Sequence, residues 1–211
     1  MIGSLCRRAL VIAAIGSFSA GCSYTVASDK LQPVRPKVPA VKPRIEHSVG
    51  DFGYTLVGGK MVTSNYAGRR LTEKITEAWK ERGYIAEAAY VDASKFSGNA
   101  DYNVTLSGSQ YGDSSIGLQI LSGLTLMVLP YTVTQQYDIH YTLLDVKTGE
   151  RFYASVEDSM EVYVQLFLLF ALSVADRGFN QTTANMGDHL YDQLARAGAF
   201  RRFEAATPPA H

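Results

Sequence analysis

Residues 134–160, TQQYDIHYTLLDVKTGERFYASVEDSM, give the clearest indication of the fold. Apolar side chains alternate with polar ones before the segment 145–150, and the alternation resumes after it. A period of two on both sides of a short polar segment predicts a β-hairpin. Gly149 occupies the turn position that needs a positive φ.

Elements on either side of the hairpin give an α+β pattern. The sequence predicts strands at 51–57, 84–91 and 102–111, and helices at about 66–82 and 181–197. Ser64 or Asn65 would cap the first helix, and Gly83 lies just beyond its end. We therefore expect an α+β domain, a mostly antiparallel sheet with two main helices packed on one face.

The composition limits the class of protein. The chain has 211 residues, of which 46% are hydrophobic, with 20 basic and 20 acidic side chains and two cysteines. This composition excludes an intrinsically disordered chain, a collagen-like chain and a disulfide scaffold. Because nucleic-acid-binding proteins are usually basic, the even balance of charge also predicts no nucleic-acid partner.

The charges are unevenly distributed along the chain. The first 21 residues carry +2 and residues 30–46 carry +4, whereas residues 47–211 carry 13 basic and 18 acidic side chains, a net −5. Prolines 33, 36 and 39 recur every three residues, which is the period of polyproline II. We expect 22–46 to be a basic tether reaching at most about 80 Å, 47–203 to be one domain, and 204–211 to be a disordered tail.

The first 21 residues have the pattern of a secretory signal peptide. Arg7 and Arg8 precede an apolar stretch, ALVIAAIGSF at 9–18, and small residues lead to Gly21 and Cys22. We expect cleavage between Gly21 and Cys22, which leaves Cys22 as the one cysteine of the mature chain.

Ala20, Gly21 and Cys22 resemble the end of the lipobox of bacterial lipoproteins, in which the cysteine is diacylated and becomes the new amino terminus. Ser19 departs from the leucine usual in that family. The resemblance implies a lipid anchor at Cys22, and Ser23 after it resembles the sorting pattern for the outer membrane, facing the periplasm. Ordinary signal peptidase could cut the same bond and release a soluble exported protein.

The order of elements also resembles a second group of proteins. Together with the hairpin segment 141–149, it is similar to the small α+β domains of envelope lipoproteins of the penicillin-binding-protein activator and curli-secretion type. The resemblance implies a fold and transfers no site residue.

Two runs, 114–137 and 162–175, contain no charged residue. The first run leads into the hairpin and the second leaves it, so both should lie at its open end. Neither is long and continuous enough to span a membrane as a helix. They either pack together as core or form an exposed apolar face for a partner, for self-association or for lipid. The candidate interface residues are Leu121, Leu124, Leu126, Leu166, Phe167 and Phe170.

The sequence contains no motif for catalysis, a metal or a cofactor. Its four histidines lack ligand spacing, and no Gly-x-Ser-x-Gly elbow occurs. Asp145, Glu157 and Asp158 are interpreted as solvent-facing hairpin residues.

The expected function is therefore non-enzymatic. We expect a cell-envelope accessory or scaffold protein, held at the membrane by its lipid anchor, with an envelope protein or a second copy as partner. A periplasmic carrier of a hydrophobic ligand is the first alternative, and an unrecognised hydrolase is the second.

Overall fold

Seven strands and four helices make up the part of the chain that the computed structural model describes, residues 22–27, 30–55, 57, 59–92, 95–125, 128–165 and 177–204. In chain order they are β1 (Cys22–Ala27), β2 (Arg44–Thr55), β3 (Val62–Thr63), α1 (Asn65–Glu81), β4 (Glu87–Tyr90), β5 (Tyr102–Asp113), α2 (Ile116–Leu124), β6 (Tyr131–Asp145), β7 (Arg151–Gln165), α3 (Arg177–Arg196) and α4 (Arg201–Glu204).

The strands form one mixed sheet in the order β1-β7-β6-β5-β2-β3, and β4 also lies along β2. Strand β2 pairs in parallel with β5 and β4, and the other pairs are antiparallel. The predicted α+β class with a mostly antiparallel sheet is therefore confirmed. The predicted strand at 51–57 starts seven residues earlier, at Arg44.

Strands β6 and β7 are the predicted hairpin, and they pair along their whole length. Gly149 has a φ of 75°, as the turn requires. The Asp145 carboxylate accepts hydrogen bonds from the backbone amides of Lys147 at 2.8 Å and Thr148 at 3.1 Å. These bonds close the turn, because an aspartate side chain can satisfy amides two and three residues ahead.

Helices α1 and α3 pack against each other and against one face of the sheet. Ser64 Oγ caps α1 by accepting a hydrogen bond from the Ala67 amide, and Gly83 follows the end of the helix with a φ of 76°. The Trp79 indole on the buried side of α1 donates a hydrogen bond to the Gly187 carbonyl of α3 at 2.6 Å. The two helices therefore share a polar contact inside an apolar core.

Tyrosines form much of that core. Tyr102, Tyr137 and Tyr141 point from the sheet toward the helices and are buried. The hydroxyl groups of Tyr141 and Thr72 lie 3.0 Å apart, and the Tyr102 hydroxyl donates to the Ala199 carbonyl at 2.5 Å. Two of the three buried hydroxyl groups thus have partners, which removes most of the cost of burying them.

The amino-terminal boundary of the fold differs from the sequence-based prediction. Residues 22–27 form the edge strand β1 and pair with β7, so the sheet begins at Cys22 and not at His47. The proline-rich segment then follows the helices: Leu31 packs against the core, and His189 Nε2 lies 2.7 Å from the Gln32 carbonyl oxygen. The free edge of β7 explains the difference, because an unpaired strand edge can take up an extended segment.

Two predicted segments cannot be compared with the structure. The signal peptide at 1–21 lies outside the described residues. Of the predicted tail, Glu204 ends α4, and residues 205–211 also lie outside the described part.

Candidate functional site

One end of the sheet is formed largely by residues without charge, and we call it the charge-free end; Asp113 and Glu161 lie at its boundary, where both pair with Thr134. It consists of the described residues 22–27, 114–125, 128–137 and 162–165. Strand register brings these segments together, because Cys22 pairs with Gln165 and Tyr131 pairs with Val164. The described parts of the two charge-free runs are therefore neighbours at the open end of the hairpin, as the sequence predicted.

Helix α2 connects β5 to β6 at the charge-free end. Ser122 Oγ donates a hydrogen bond to the Leu129 carbonyl, and Ser114 Oγ donates one to the Thr132 carbonyl, both at 2.7 Å. Ser122 is also the buried residue of this helix. The helix is thus fixed by its small polar residues, and its large side chains are left outside the core.

The large side chains of α2 are aliphatic and exposed: Ile116, Leu118, Ile120, Leu121 and Leu124. Leu124 is 78% exposed and Leu121 is 46% exposed. Single exposed apolar residues are normal on a protein surface, whereas five on one short helix make α2 a candidate contact surface for protein or lipid.

Three tyrosines lie on the strands near this helix. Tyr111 is exposed, and Tyr131 and Tyr163 are half-buried. The Tyr163 hydroxyl donates to Glu161 at 2.6 Å, at the boundary of the charge-free end. Tyrosine rings favour boundaries between apolar and aqueous surroundings, because the ring is apolar and the hydroxyl is hydrated.

The opposite end of the sheet is charged. The hairpin turn contains Asp145, Lys147, Glu150 and Arg151, and Arg202 Nη1 of α4 lies 3.3 Å from Asp145 Oδ1. Because β6 has 15 residues, the two ends are separated by about 50 Å. The domain is therefore polarised along its strands.

The structure describes three of the residues that the sequence singled out. Leu121 and Leu124 are exposed on α2, and the backbone of Cys22 starts β1 at the same end of the sheet. The other candidates, Gly21, Leu126, Leu166, Phe167 and Phe170, lie outside the described residues.

A second feature is a cavity of about 330 Å³ between the start of α1, the sheet and the start of α3, which we call the α1 cavity. Its floor contains Tyr54, Gln110 and Tyr137, which are paired across β2, β5 and β6. Ser64, Arg70 and Phe179 line the other sides. The register places three polar side chains in one row under the first turns of α1.

The Tyr137 hydroxyl in this floor has no hydrogen-bond partner among the described residues, although the side chain is only 2% exposed. Burial raises the pKa of Tyr137 above its usual value, so the hydroxyl keeps its proton and remains a donor at neutral pH. A buried donor without a partner is costly and requires an explanation.

Two carboxylates that were interpreted as solvent-facing are buried. Asp145 and Asp158 are each 4% exposed, and only Glu157 is on the surface. Asp145 closes the hairpin turn, as described above. Asp158 is the cross-strand neighbour of Tyr137, and burial raises the pKa of its carboxyl group. The alternation of charged and apolar residues breaks down at 158–160, where three successive residues are buried, because β1 and α3 cover this part of β7.

No group of three His, Cys, Asp or Glu side chains in the described ranges is arranged to hold a metal ion. None of the helices described for this chain is both long and apolar enough to cross a membrane.

Distant likenesses are found among solved structures. A DUF330-family protein from Xanthomonas campestris matches with 12% identity and a TM-score of 0.43 over 84% of this chain and 97% of that one. A neuraminyllactose-binding hemagglutinin homolog from Helicobacter pylori matches with 8% identity and a TM-score of 0.44, over 83% of this chain and 95% of that one. The PelC dodecamer from Paraburkholderia phytofirmans matches with 13% identity and a TM-score of 0.35, over 82% of this chain and 96% of that one.

These likenesses are too distant to indicate a fold family or a function. No family model matches the chain, and no curated protein matches it by sequence.

Sequence reasoning missed the helical state of 116–124 and the α1 cavity. The Ser115 cap before an apolar stretch was a signal for α2. The cavity had no sequence signal, because its floor depends on the pairing register of three strands.

Proposed function

We propose that this protein is a non-enzymatic accessory protein of the cell envelope, anchored by lipid at Cys22, whose charge-free end rests on the membrane surface. The observation that carries the proposal is the shared position of Cys22 and α2 at that end. The proposed location is the outer membrane, with the domain facing the periplasm, as Ser23 suggests.

The place of Cys22 in the sheet supports direct contact with the membrane. A cysteine at the far end of a long tether would leave the domain free to turn in any direction. Here Cys22 is the first residue of β1, which pairs with β7 through Gln165. Acyl chains attached at Cys22 would therefore leave the protein at the same end of the sheet as Tyr131 and α2, and two such chains give stable anchoring.

The charge distribution supports the same orientation. The residues of the charge-free end carry no charge that contact with lipid would dehydrate, Asp113 and Glu161 at its boundary are exposed to water, and the charged hairpin turn is about 50 Å away. Helix α2 has nine residues, too few to cross the bilayer, so it would lie at the interface. Tyr111, Tyr131 and Tyr163 would occupy the headgroup level.

The exposed leucines provide an estimate of the contact energy. Full burial of a leucine side chain is favourable by about 1.5–3 kcal/mol. Scaled by their exposed fractions, Leu121 and Leu124 together contribute about 2–4 kcal/mol if lipid covers them completely. This energy is small beside that of a diacyl anchor, but it is enough to fix the orientation of an anchored domain.

Vesicle flotation without the anchor tests the contribution of α2. The Cys22→Ser chain and its Leu121→Glu/Leu124→Glu derivative are compared for binding to phospholipid vesicles. Val41→Glu on the same background is the matched control, because Val41 is 45% exposed but precedes β2 at the charged end. We expect the double variant to bind at least about tenfold more weakly and the control to bind as well as its parent.

The same variants distinguish lipid from a protein surface. Equal flotation of all three chains would contradict membrane contact by α2. If the double substitution instead abolishes self-association or capture of an envelope protein and leaves flotation unchanged, the surface belongs to a protein partner or a second copy. The anchor has its own test, because the Cys22→Ser chain in cells should lose the acyl group and its increment in mass.

A further inference from the structure

We propose that the α1 cavity binds a small organic anion, a carboxylate or phosphate carried on a ring-shaped apolar body. This site lies on the helix-covered face of the sheet, at the inner boundary of the charge-free end, and it contains no residue of α2, the helix of the proposed membrane contact. Its residues come from β2, β5, β6, α1 and α3, so the complete fold is needed to form it.

The first observation is the Tyr137 hydroxyl group. It lines the cavity, it is buried, and it has no hydrogen-bond partner among the described residues. The comparison with Tyr141, four residues along the same strand, is informative: Tyr141 is equally buried and its hydroxyl is paired with Thr72. A ligand oxygen in the cavity would supply the acceptor that Tyr137 lacks.

The second observation is the positive character of the cavity. Arg70 lines it from the first turns of α1, and no carboxylate in the described part of the chain pairs with Arg70. Its neighbour Arg69, by contrast, is paired with Glu73 at 2.7 Å. A guanidinium group binds carboxylate or phosphate through two parallel hydrogen bonds, and the amino-terminal end of a 17-residue helix adds a favourable field for an anion.

The walls favour a ring next to the anionic group. Phe179 lies 5.0 Å below the Arg70 guanidinium, Tyr54 lies in the floor, and Leu71 and Met160 add apolar surface. Aromatic walls stack on flat or ring-shaped bodies. The volume of about 330 Å³ is at the lower end of the range for ligand pockets and suits one small ring with its substituent.

Acidic groups near the cavity do not cancel this preference. Asp158 lies beside Tyr137 in the next strand but does not line the cavity, and Lys30 partly offsets its charge. Glu73, one turn further along α1, is engaged by Arg69. Arg70 therefore remains the charged group that faces the cavity.

Calorimetric titration of the purified full-length protein tests the site with defined probes. Benzoate and phenyl phosphate carry the anion on a ring, and benzamide is the neutral counterpart of benzoate. We expect saturable binding of at least one anionic probe and about tenfold weaker binding of benzamide. The relative affinities of benzoate and phenyl phosphate show whether the site prefers a carboxylate or a phosphate.

Variants assign the binding to the cavity. Arg70→Gln should weaken binding of the anion at least about tenfold, and Tyr137→Phe about fivefold, since each removes a donor to a charged ligand. Arg69→Gln is the matched control and should leave affinity unchanged. Circular dichroism of each variant confirms that it is folded.

Two results would overturn the proposal. One is the absence of saturable binding of both anionic probes at millimolar concentration. The other is binding that Arg70→Gln and Tyr137→Phe leave intact, or that Arg69→Gln weakens as much as Arg70→Gln does.

Discussion

Gly178 allows the first turn of α3 to pack directly on β1, the strand that carries Cys22. A Cβ atom at this position would lie 2.4 Å from the backbone carbon and oxygen of Thr25 and 2.6 Å from the Val26 nitrogen. Backbone atoms in a paired strand cannot rotate away as a side chain can. Gly178→Ala must therefore push β1 and α3 apart by about 1 Å to reach an ordinary contact distance.

The cost of this displacement follows from the contacts at the same point. Overpacking costs about 1–3 kcal/mol. The hydrogen bond from the Phe179 amide to Thr25 Oγ1, 3.0 Å long, would be strained, at about 0.5–1.5 kcal/mol. The higher helix propensity of alanine offsets up to about 1 kcal/mol of this destabilisation. We expect a net destabilisation of β1 of about 1–3 kcal/mol.

Hydrogen exchange measures this effect locally. Amides of 22–27 and of their partners 160–165 should exchange about 5- to 150-fold faster in Gly178→Ala, while the core of β5 and β6 keeps its protection. Gly123→Ala in α2 is the control, because its Cβ would meet no atom within 4 Å. Unchanged exchange in β1 would refute the contact between α3 and β1, and faster exchange across the whole sheet would refute the local character of the effect.

Two further predictions concern buried polar groups. Burial lowers the pKa of His47 to about 4 from 6.5, against an opposing effect of Glu73. The unfolded chain then takes up a proton that the folded chain excludes, so stability should fall by up to about 3 kcal/mol between pH 6.5 and 4. Urea unfolding at a series of pH values should show this fall in the free energy of unfolding, and the His47→Gln variant should not show it. An equal fall in the variant would exclude His47 as the cause. Tyr141→Phe should cost about 1–2 kcal/mol because it leaves the Thr72 hydroxyl unpaired. Tyr137→Phe removes a hydroxyl without a partner and should cost less than about 0.5 kcal/mol of stability. Thermal unfolding measures both variants, and an equal loss of stability in the two would contradict the hydrogen-bond assignment.

The hairpin and α1 could be predicted from the sequence because their signals are local. Alternation around Gly149 determines both strands and the turn between them. Ser64 and Gly83 mark the ends of α1, and the observed helix differs from the predicted one by a single residue at each end. Such signals depend on the backbone chemistry of a few consecutive residues.

The extent of the sheet could not be predicted in the same way. Residues 22–27 have no property that distinguishes an edge strand from a linker, and they become β1 only because β7 offers a free edge to pair with. Likewise, the burial of Asp158, in the middle of β7, depends on the packing of α3 against that strand. Long-range contacts decide both outcomes, and they leave no periodic pattern in the sequence.

Only part of the charge-free end, too, could be predicted from the sequence. The lack of charge in 114–137 and 162–175 was visible in the sequence, and so was the expectation that the two runs meet. That Leu121 and Leu124 lie on an exposed helix, and that Cys22 starts a strand at the same end of the sheet, could be seen only in the structure.

The most direct test of membrane contact by the charge-free end is the depth of α2 in the bilayer. The acylated protein is reconstituted into vesicles with bromine atoms on the lipid acyl chains, and a tryptophan is introduced by Leu124→Trp or, as a control, by Val41→Trp. We predict that the tryptophan at 124 is quenched by the brominated chains and that the one at 41 is not. If bromine on the acyl chains leaves the emission of both variants unchanged, α2 does not contact the membrane.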